Sequence, residues 1–521
     1  MSNLDAGKYY PIDLDKMPKC WLATYVGKIA VDIQPGFACG EHNSTGVGVP
    51  HIRPMNINRE GGIDLSEIKY VSPEKPLRLR HGDVLFNNTN SPALIGKTTA
   101  ITREEDWAFS NHMTRINLQQ GMDNRFVAFQ LHFLWMSGYF RHRCVNHVNQ
   151  ASISTKTLSD TVPLVVAPSL EQERIAIKIE ELISDLDAGV AALERAKANL
   201  KRYRTAVLKA AVEGRLTEDW RKKNSPKESA AQLLQRILKE RRKKWEKAQL
   251  AAYAKSGKSP PKNWKDKYKE PTAPDTSNLP ELPKGWCWAI LDQILVYLRN
   301  GYFQSPSSAE TGTPILRINA VRPMQVDFSE VRFLDTIKGN VDDYFIQNND
   351  LLFTRYNGSV DLLGVVGMVR GCTDKILHPD KLIRVKLAID NPLPSFVEIA
   401  ANVGISRKHM VGRARTTAGQ TGISGTDVRE MPILLPPLDE QIQIVVEVAE
   451  KLSQIKAAET IIEHGLQRAA RLRQSILKRA FEGKLVPQDP RDEPATVLLG
   501  KIKASTNNGN SKNPIKSSRK K

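Results

Sequence analysis

The chain has 521 residues, several times the length of a typical domain, with 40% hydrophobic and 26% charged residues, which excludes both a single core and a wholly disordered protein. Its apolar runs are too short to span a bilayer and its first ten residues do not resemble a signal peptide, so we expect a cytoplasmic protein without a membrane partner. A formal net charge of +19 suggests a polyanionic partner.

Residues 1–165 are predicted to form a strand-rich α/β domain, because short β-branched and aromatic runs alternate with Gly, Pro and Asn. A polar loop follows a predicted strand that contains Asp83-Val84-Leu85-Phe86. Asparagine side chains can form paired hydrogen bonds with adenine, so the loop is a candidate base-reading element, although such stretches also form ordinary turns. The candidate base contacts are Asn87, Asn88, Thr89, Asn90 and Ser91, and Lys97 is a candidate phosphate contact.

No metal site is predicted in this domain. His142, Cys144 and His147 lie close together in the sequence, but a fourth ligand at a suitable spacing is missing. The chain has five cysteines and no Cys-x-x-Cys pair, so we expect reduced thiols.

Residues 166–216 are predicted to form a long helix that begins after Pro168 and ends at Gly214. Apolar residues recur every seven positions, which indicates a coiled-coil seam; the alternative is a helix that packs along its own domain. The interleaved small residues Gly189 and Ala196 would allow a partner helix to approach closely. The candidate seam and partner-docking residues are Ile179, Leu186, Leu193, Leu200 and Val207.

Residues 217–280 are predicted to form a basic helix, over 230–250, followed by a linker rich in Pro, Lys and Asp. Between 221 and 270 there are 17 Lys and Arg against 5 Asp and Glu. Residues 501–521, a predicted disordered tail, add 7 basic and no acidic residues. These two stretches account for the whole net charge, so charge alone is weak support for nucleic acid binding.

Residues 281–435 are predicted to form a second strand-rich domain, and residues 436–500 a second long helix that begins after Pro437 and ends at Gly483. A loop after Asp350-Leu351-Leu352-Phe353 supplies a second set of candidate base contacts. These are Thr354, Arg355, Tyr356, Asn357 and Ser359, and Arg317 is a candidate phosphate contact. The candidate seam and docking residues of the second helix are Val448, Ile455, Ile462 and Ile476.

The order of these elements indicates a tandem duplication. Pro18-Lys19-Cys20-Trp21 matches Pro283-Lys284-Gly285-Trp286 at an offset of 265 residues, and from Val162 to the end of the helices the offset is 269 without gaps. Two similar domains on two mutually packed helices would have pseudo-twofold symmetry, which suits duplex DNA. Because the polar loops differ more than the helices, the two domains are predicted to read different short sequences.

This arrangement resembles the specificity (S) subunits of type I restriction–modification systems, the HsdS family. The resemblance is carried by Leu282-Pro283-Lys284-Gly285-Trp286, Asp350 to Ser359, Pro437-Leu438-Asp439-Glu440-Gln441 and Leu477 to Leu485. It implies two target recognition domains that each read half of an asymmetric bipartite site in double-stranded DNA. It also implies an antiparallel coiled coil that sets the gap between the half-sites and docks two methyltransferase (M) subunits, which motor–nuclease (R) subunits then join.

No catalytic residues are predicted. The nearest match to an adenine methyltransferase loop, Asn391-Pro392-Leu393-Pro394, lacks the second consecutive proline and the aromatic residue, and no phosphate-binding Gly-x-x-x-x-Gly-Lys-Ser/Thr is present. The resemblance implies that S-adenosylmethionine, ATP and Mg²⁺ bind to partner subunits and not to this chain. We therefore expect a non-catalytic recognition protein; the alternatives are a free-standing bipartite DNA-binding regulator or a coiled-coil scaffold.

Overall fold

The computed structural model describes residues 4–74, 77–148, 150–304, 311–417 and 420–510. The chain divides into two compact units: unit 1 contains the residues up to Glu194 and those from Ile462 onward, and unit 2 contains Arg195–Ile461. Each unit therefore combines one strand-rich domain with parts of two long helices. Among the helices of the described ranges, none is both long enough and apolar enough to cross a membrane.

The helices include two of 44 residues each, about 65 Å long at 1.5 Å per residue. Both end just before a glycine at positive φ, Gly214 or Gly483, a common way to terminate a helix. In chain order the helices are α1 Asn124–Met136, α2 Thr155–Thr161, α3 Ser169–Val212, α4 Glu218–Lys223, α5 Ala230–Lys255, α6 Leu291–Ile294, α7 Leu393–Ala401, α8 Gly404–Gly412, α9 Gly425–Arg429, α10 Leu438–Phe481 and α11 Ala495–Asn510.

The domain of unit 1 is built on an antiparallel sheet with the strand order β2-β9-β5-β7. Two further sheets, β10-β11-β6 and β4-β3-β8, and the pair β1-β12 complete it. The strands are β1 Leu22–Tyr25, β2 Ala30–Pro35, β3 Val49–Ile52, β4 Lys69–Val71, β5 Val84–Asn87, β6 Thr89–Asn90, β7 Thr98–Ala100, β8 Ala108–Phe109, β9 Met113–Leu118, β10 Val145–Asn146, β11 Ala151–Ser152 and β12 Pro163–Val166.

The domain of unit 2 repeats this plan, with the antiparallel sheet β14-β22-β19-β21, the sheet β20-β24-β23 and the pair β13-β25. The pairs β15-β18 and β16-β17 take the place of the third sheet of unit 1. The strands are β13 Cys287–Ile290, β14 Leu295–Asn300, β15 Thr313–Leu316, β16 Val321–Arg322, β17 Gln325–Val326, β18 Val331–Leu334, β19 Leu351–Thr354, β20 Tyr356–Asn357, β21 Val366–Met368, β22 Leu382–Leu387, β23 Arg415–Thr417, β24 Gln420–Gly422 and β25 Pro432–Leu435.

The duplication extends to single glycines. Gly36 and Gly301 each approach the backbone of a neighbouring segment, where an added Cβ would lie 2.1 Å from the Phe109 carbonyl oxygen or 2.0 Å from the Pro379 carbonyl oxygen. Only glycine fits a contact this close, so the match between Gly36-Phe37 and Gly301-Tyr302 in the sequence records a shared backbone crossing.

The core of each domain includes the C-terminal end of a long helix that belongs to the other sequence repeat. In unit 1 the Phe481 ring of α10 lies 5.5 Å from that of Phe126 and 5.9 Å from that of Phe133. In unit 2 Leu208 and Val212 of α3 are buried in the same cluster as α7 and the sheet. Each domain is thus completed by a helix end that lies outside its own repeat in the sequence.

The two long helices contact each other, as the heptad pattern predicts, and they are antiparallel. In unit 1 Ile179 of α3 shares a core cluster with Leu477 of α10, and further along α3 the Asp187 carboxylate pairs with the Arg473 guanidinium. In unit 2 Val212 of α3 shares a cluster with Ile444 and Val448 near the start of α10.

The predicted seam residues are covered to different degrees. Ile179, Val207, Val448, Ile455, Ile462 and Ile476 are buried, and Leu186, Leu193 and Leu200 are half-buried. The close approach that we expected at Gly189 does not occur there, since an added Cβ would meet nothing within 4 Å. The close contact occurs at Gly465, where an added Cβ would lie 3.0 Å from Leu193 Cδ1.

The helices α5 and α11, which follow the two long helices, are attached to their domains by equivalent hydrogen bonds. The Ala230 N–H at the start of α5 donates to the Gly285 carbonyl, and the Ala495 N–H at the start of α11 donates to the Cys20 carbonyl, each at 3.0 Å. The α10 helix ends at Phe481, close to the predicted end at Gly483, but the segment 436–500 also contains the start of a second helix, α11. The prediction of a disordered tail from 501 is wrong in part, because α11 runs to Asn510. The rest of the predicted tail, 511–521, lies outside the described residues.

A buried glutamate near the start of each long helix joins it to a tryptophan of its unit. Glu171 accepts a hydrogen bond from Trp21 Nε1 at 3.0 Å, and Glu440 accepts one from Trp286 Nε1 at 2.8 Å. Glu440 forms an ion pair with Arg221, whose Nη1 lies 2.5 Å from Glu440 Oε1, whereas Arg174, the cation near Glu171, pairs with Asp492. Burial raises the pKa of Glu171 above its ordinary value.

Glutamine substitution should affect folding stability differently at Glu171 and at Glu440. Ionised Glu171 destabilises the folded state, and this cost grows as the pH rises through its raised pKa. The Tm of Glu171→Gln relative to the unmodified chain should therefore increase between about pH 4 and about pH 7. Glu440→Gln breaks a buried ion pair and should cost about 3 kcal/mol at neutral pH. Thermal unfolding of both variants across this pH range is the measurement, and a Glu171→Gln difference that does not change with pH would contradict the assignment.

Candidate nucleic-acid interface

The two predicted base-reading loops occupy the same place in the two units. After β5 the chain of unit 1 enters β6, the edge strand of the three-stranded sheet β6, β11 and β10, which we call the small sheet of unit 1. After β19 the chain of unit 2 enters β20, the edge strand of the small sheet of unit 2, formed by β20, β24 and β23. Each small sheet presents short strands whose side chains come from two distant segments of the chain.

Two of the candidate asparagines in unit 1 support the loop from inside. Asn87 is fully buried and its Nδ2 donates to the Leu94 carbonyl at 3.1 Å. Asn88 is 7% exposed, and its Nδ2 donates to the Asn111 carbonyl and to Thr114 Oγ1. Both amides are engaged within the domain, which makes them part of the scaffold that positions Thr89, Asn90 and Ser91.

Lys97 is also an internal residue. It is 6% exposed, and its Nζ donates to the Pro54 carbonyl at 3.0 Å and to the Ile57 carbonyl. Burial lowers the pKa of the Lys97 ammonium. In this structure Lys97 ties the loop to the segment around Pro54, and its charge is not presented to solvent.

Thr89, Asn90 and Ser91 border a cleft of about 750 Å³ on the surface of unit 1. The Asn90 Oδ1 accepts a hydrogen bond from the Ser91 N–H at 2.8 Å, which holds the amide at the rim of the cleft. Of the candidate base contacts in unit 1, these three are the half-buried ones whose side chains reach a concave surface.

The cleft contains polar residues that the sequence analysis missed. Asn111 and His112, from the turn before β9, Arg53, from the end of β3, and Gln150, from the hairpin between β10 and β11, line it. They come from three segments that are separate in sequence, and no local motif distinguishes them. The match of Gln150 with Gln420 within the repeat was the one available signal.

A pair of histidines closes one side of the cleft. His42 Nε2 and His51 Nδ1 are 2.9 Å apart, and the His51 ring stacks on Phe37 at 5.0 Å. Burial, together with the nearby His42, lowers the pKa of His51 to about 4. At neutral pH the His51 imidazole is therefore neutral, and the cleft offers uncharged donors and acceptors beside the Arg53 guanidinium and the buried side chain of Lys97.

The candidate residues of unit 2 divide in a similar way. Thr354 is buried and its Oγ1 donates to the Leu362 carbonyl, so it is a scaffold residue. Asn357 accepts from the Ser359 N–H at 3.0 Å, and Tyr356 and Asn357 are half-buried. The Arg355 guanidinium lies 4.8 Å from the centre of the Tyr356 ring.

Arg317 lies at the exposed start of a short helical turn and is paired. Its Nη1 is 3.0 Å from Glu330 Oε2, and both side chains are more than one-third exposed. A phosphate contact by Arg317 would have to compete with this surface ion pair, which has little strength in water.

Two cations near the small sheet of unit 2 were also missed. Lys381 precedes β22 and its Nζ lies 5.7 Å from the centre of the Tyr356 ring. Arg415 begins β23, and its side chain is 72% exposed. Both lie far from Arg355 in the sequence, and backbone hydrogen bonds in and beside the small sheet bring the three cations near one another.

Within the described ranges, no group of three or more His, Cys, Asp or Glu side chains is arranged to hold a metal ion. The five cysteines are half-buried and unpaired. DNA contact by the residues above stays a prediction.

A comparison with models of protein families gives no match. The chain is 29% identical over 477 residues to the type I restriction enzyme EcoKI specificity subunit of Escherichia coli strain K12, with 88% of each chain covered. It is 26% identical over 470 residues to the type I restriction enzyme StySPI specificity subunit of Salmonella potsdam, again with 88% of each chain covered.

Among solved structures, a chain from work on complex assembly and conformational transition of the type I R-M system has a TM-score of 0.60 and 15% identity. The match covers 90% of this chain and 99% of that chain and shows that the fold is shared. Both kinds of match run through both repeats, and the curated relatives support the specificity-subunit interpretation over a free-standing regulator or a scaffold. Along both repeats the chain is similar to the specificity subunits of type I restriction–modification systems.

Proposed function

We propose that the chain recognises DNA for a type I restriction–modification complex, with each strand-rich domain reading one half of an asymmetric bipartite site. The observation that carries this proposal is the pair of small sheets. Their strand order and backbone connections are the same in the two units, while their exposed side chains differ. Two copies of one backbone framework that carry different exposed polar side chains suit a protein that reads two different short sequences on one duplex.

The enzymatic steps are assigned to partner subunits. Specificity subunits are non-catalytic, and we propose that two methyltransferase subunits and motor–nuclease subunits assemble on this chain. S-adenosylmethionine would bind to the methyltransferases, and ATP and Mg²⁺ to the motor subunits. The coiled coil formed by α3 and α10 would set the gap between the half-sites.

The exposed apolar residues of the long helices are the best candidates for the methyltransferase contact, because the seam residues are covered by the partner helix. Ile177 of α3 is 50% exposed and Val446 of α10 is 56% exposed. They occupy equivalent positions at the repeat offset of 269. Two equivalent apolar patches would provide two equivalent docking sites, in agreement with two methyltransferase subunits.

Deletion of the gene, with its partner genes present, should abolish adenine methylation at one asymmetric bipartite motif. Because the two domains differ in their exposed side chains, exchange of residues 281–435 for those of another specificity subunit should change only one half of the motif. Genome-wide mapping of methylated adenines measures both results. If the deletion leaves every motif methylated, the proposed function is wrong.

The distinction between reading and scaffold residues should appear in a pair of variants. Asn90→Ala should weaken binding of the methylation complex to its site about tenfold without lowering the Tm, because the side chain lies at the rim of the cleft. Lys97→Met leaves two buried carbonyls without donors, so it should cost about 1–3 kcal/mol of folding stability. DNA titration and thermal unfolding of both variants test this, and an unchanged Tm for Lys97→Met would contradict its internal role.

Substitution of the exposed apolar residues should separate assembly from folding. Ile177→Ser together with Val446→Ser should reduce the amount of methyltransferase that co-purifies with the chain, while the Tm changes little. The control is Val31→Ser with Ile337→Ser, which removes two exposed apolar residues from the strand-rich domains. Equal co-purification for the two double variants would place the docking surface elsewhere.

A further inference from the structure

The small sheets can be compared position by position, because the same backbone hydrogen bonds hold them. In unit 1 the Asn88 N–H donates to the His112 carbonyl at 3.0 Å, and the Asn88 carbonyl accepts from the Ile153 N–H at 2.9 Å. In unit 2 the Arg355 N–H donates to the Lys381 carbonyl at 2.8 Å, and the Arg355 carbonyl accepts from Ile423 N–H at 3.0 Å. Arg355 therefore corresponds to Asn88, and Lys381 corresponds to His112.

The edge strands correspond in the same way. In unit 1 Val145 of β10 is paired with Ser152, which is paired with Thr89 of β6. In unit 2 Arg415 of β23 is paired with Gly422, which is paired with Tyr356 of β20. Arg415 thus occupies the position of Val145.

At these three positions unit 2 has a cation and unit 1 does not. The pairs are Arg355 and Asn88, Lys381 and His112, and Arg415 and Val145. Since the backbone is the same in both, this difference is not needed for the fold. It gives the second small sheet a positive face that the first one lacks.

The side chain of Arg415 is available for a ligand. It is 72% exposed, and its ion pair with Asp427 is a loose one, with Nη2 and Oδ1 3.8 Å apart, beyond hydrogen-bond distance. Gly422, its cross-strand neighbour, has no side chain, and an added Cβ there would lie 2.5 Å from the Tyr356 ring. The Tyr356 ring therefore lies over Gly422. The cross-strand row of Arg415, Gly422 and Tyr356 has a guanidinium at one end and a flat aromatic ring at the other.

The chemistry of such a group favours guanine over the other bases. In the major groove guanine presents two acceptors, N7 and O6, which match the paired N–H donors of a guanidinium. Adenine presents one acceptor and one donor, which match the amide of Asn or Gln and not a cation. The cleft of unit 1, lined by Asn90, Asn111 and Gln150, offers such amides.

We propose that Arg415 reads a guanine in the half-site of the second recognition domain, with Lys381 and Arg355 contributing to the positive face around it, and that the half-site of the first domain is read without an equivalent cation. This inference rests on the proposed function, since it names the bases read by one of the two small sheets. A cation at this position could also contact a phosphate, and the two roles have different consequences for sequence discrimination.

The test uses the complex of this chain with its methyltransferase subunits and duplexes that carry the methylation motif. Each base pair of the half-site assigned to residues 281–435 is changed in turn, and binding is measured over a range of salt concentrations. Arg415→Gln should weaken binding to the native site on the order of 10- to 100-fold and remove the preference for guanine at one position only. Arg413→Gln, which removes a charge paired with Glu430 at 3.1 Å, is the matched control and should leave discrimination unchanged.

Arg415→Lys keeps the charge but loses the paired donors, so it should behave like Arg415→Gln in discrimination while it keeps most of the salt dependence. Uniform weakening on all duplexes, with a salt slope reduced by about one and rescue by lysine, would identify a phosphate contact and overturn the proposal. A bipartite motif with no guanine in this half-site would also overturn it, while the proposed function would stand. If no motif depends on the gene, the proposed function itself fails.

Discussion

Each recognition domain depends on a helix end that the other sequence repeat supplies. The Phe481 ring fills the core of unit 1 against Phe126 and Phe133, and Leu208 and Val212 fill the matching place in unit 2. A buried aromatic or aliphatic side chain of this kind contributes several kcal/mol, so neither domain has a complete core without the helix of the other repeat. Because the helix ends are fixed in the domain cores, the long helices cannot shift in register without disturbing both domains.

This constraint explains which parts of the two repeats stay alike. The helix ends, the Trp21–Glu171 and Trp286–Glu440 contacts and the glycine crossings at Gly36 and Gly301 all serve the shared framework. The small sheets lie at the opposite ends of β5 and β19 from the turns that Asp83 and Asp350 hold. Side chains there can change without loss of core packing, which is the freedom that two different recognition surfaces require.

Much of the framework could be predicted from the sequence, because it depends on periodic or repeated signals. The seven-residue stripe predicts the seam, and the matched strings predict two equivalent domains. The α11 helix was missed because its buried residues, Ala495, Leu498 and Ile502, form a short stripe next to a polar tail. The prediction of a close helix contact at Gly189 was wrong, since a small residue in a helix does not by itself show that another helix lies beside it.

The candidate site was less accessible to sequence analysis, for two physical reasons. Polar residues after a strand can support a loop as well as read a ligand, and only burial separates Asn88 and Lys97 from Asn90. Residues that share a small sheet are also far apart in the chain, so Arg415 could not be associated with Tyr356 before the strand pairing was known.

The distribution of charge bears on why such a protein would act within a complex. The net charge of +19 is concentrated in residues 221–270 and 501–521, whereas the small sheet of unit 1 has few cations and that of unit 2 contains Arg415, with Arg355 and Lys381 beside it. Phosphate contacts supply most of the affinity of proteins for DNA, and base contacts supply discrimination. A chain with few cations at its reading surfaces can discriminate between sequences but gains little affinity from the DNA backbone there. Partner subunits that enclose the duplex would add those contacts, so recognition and tight binding would be properties of the assembly.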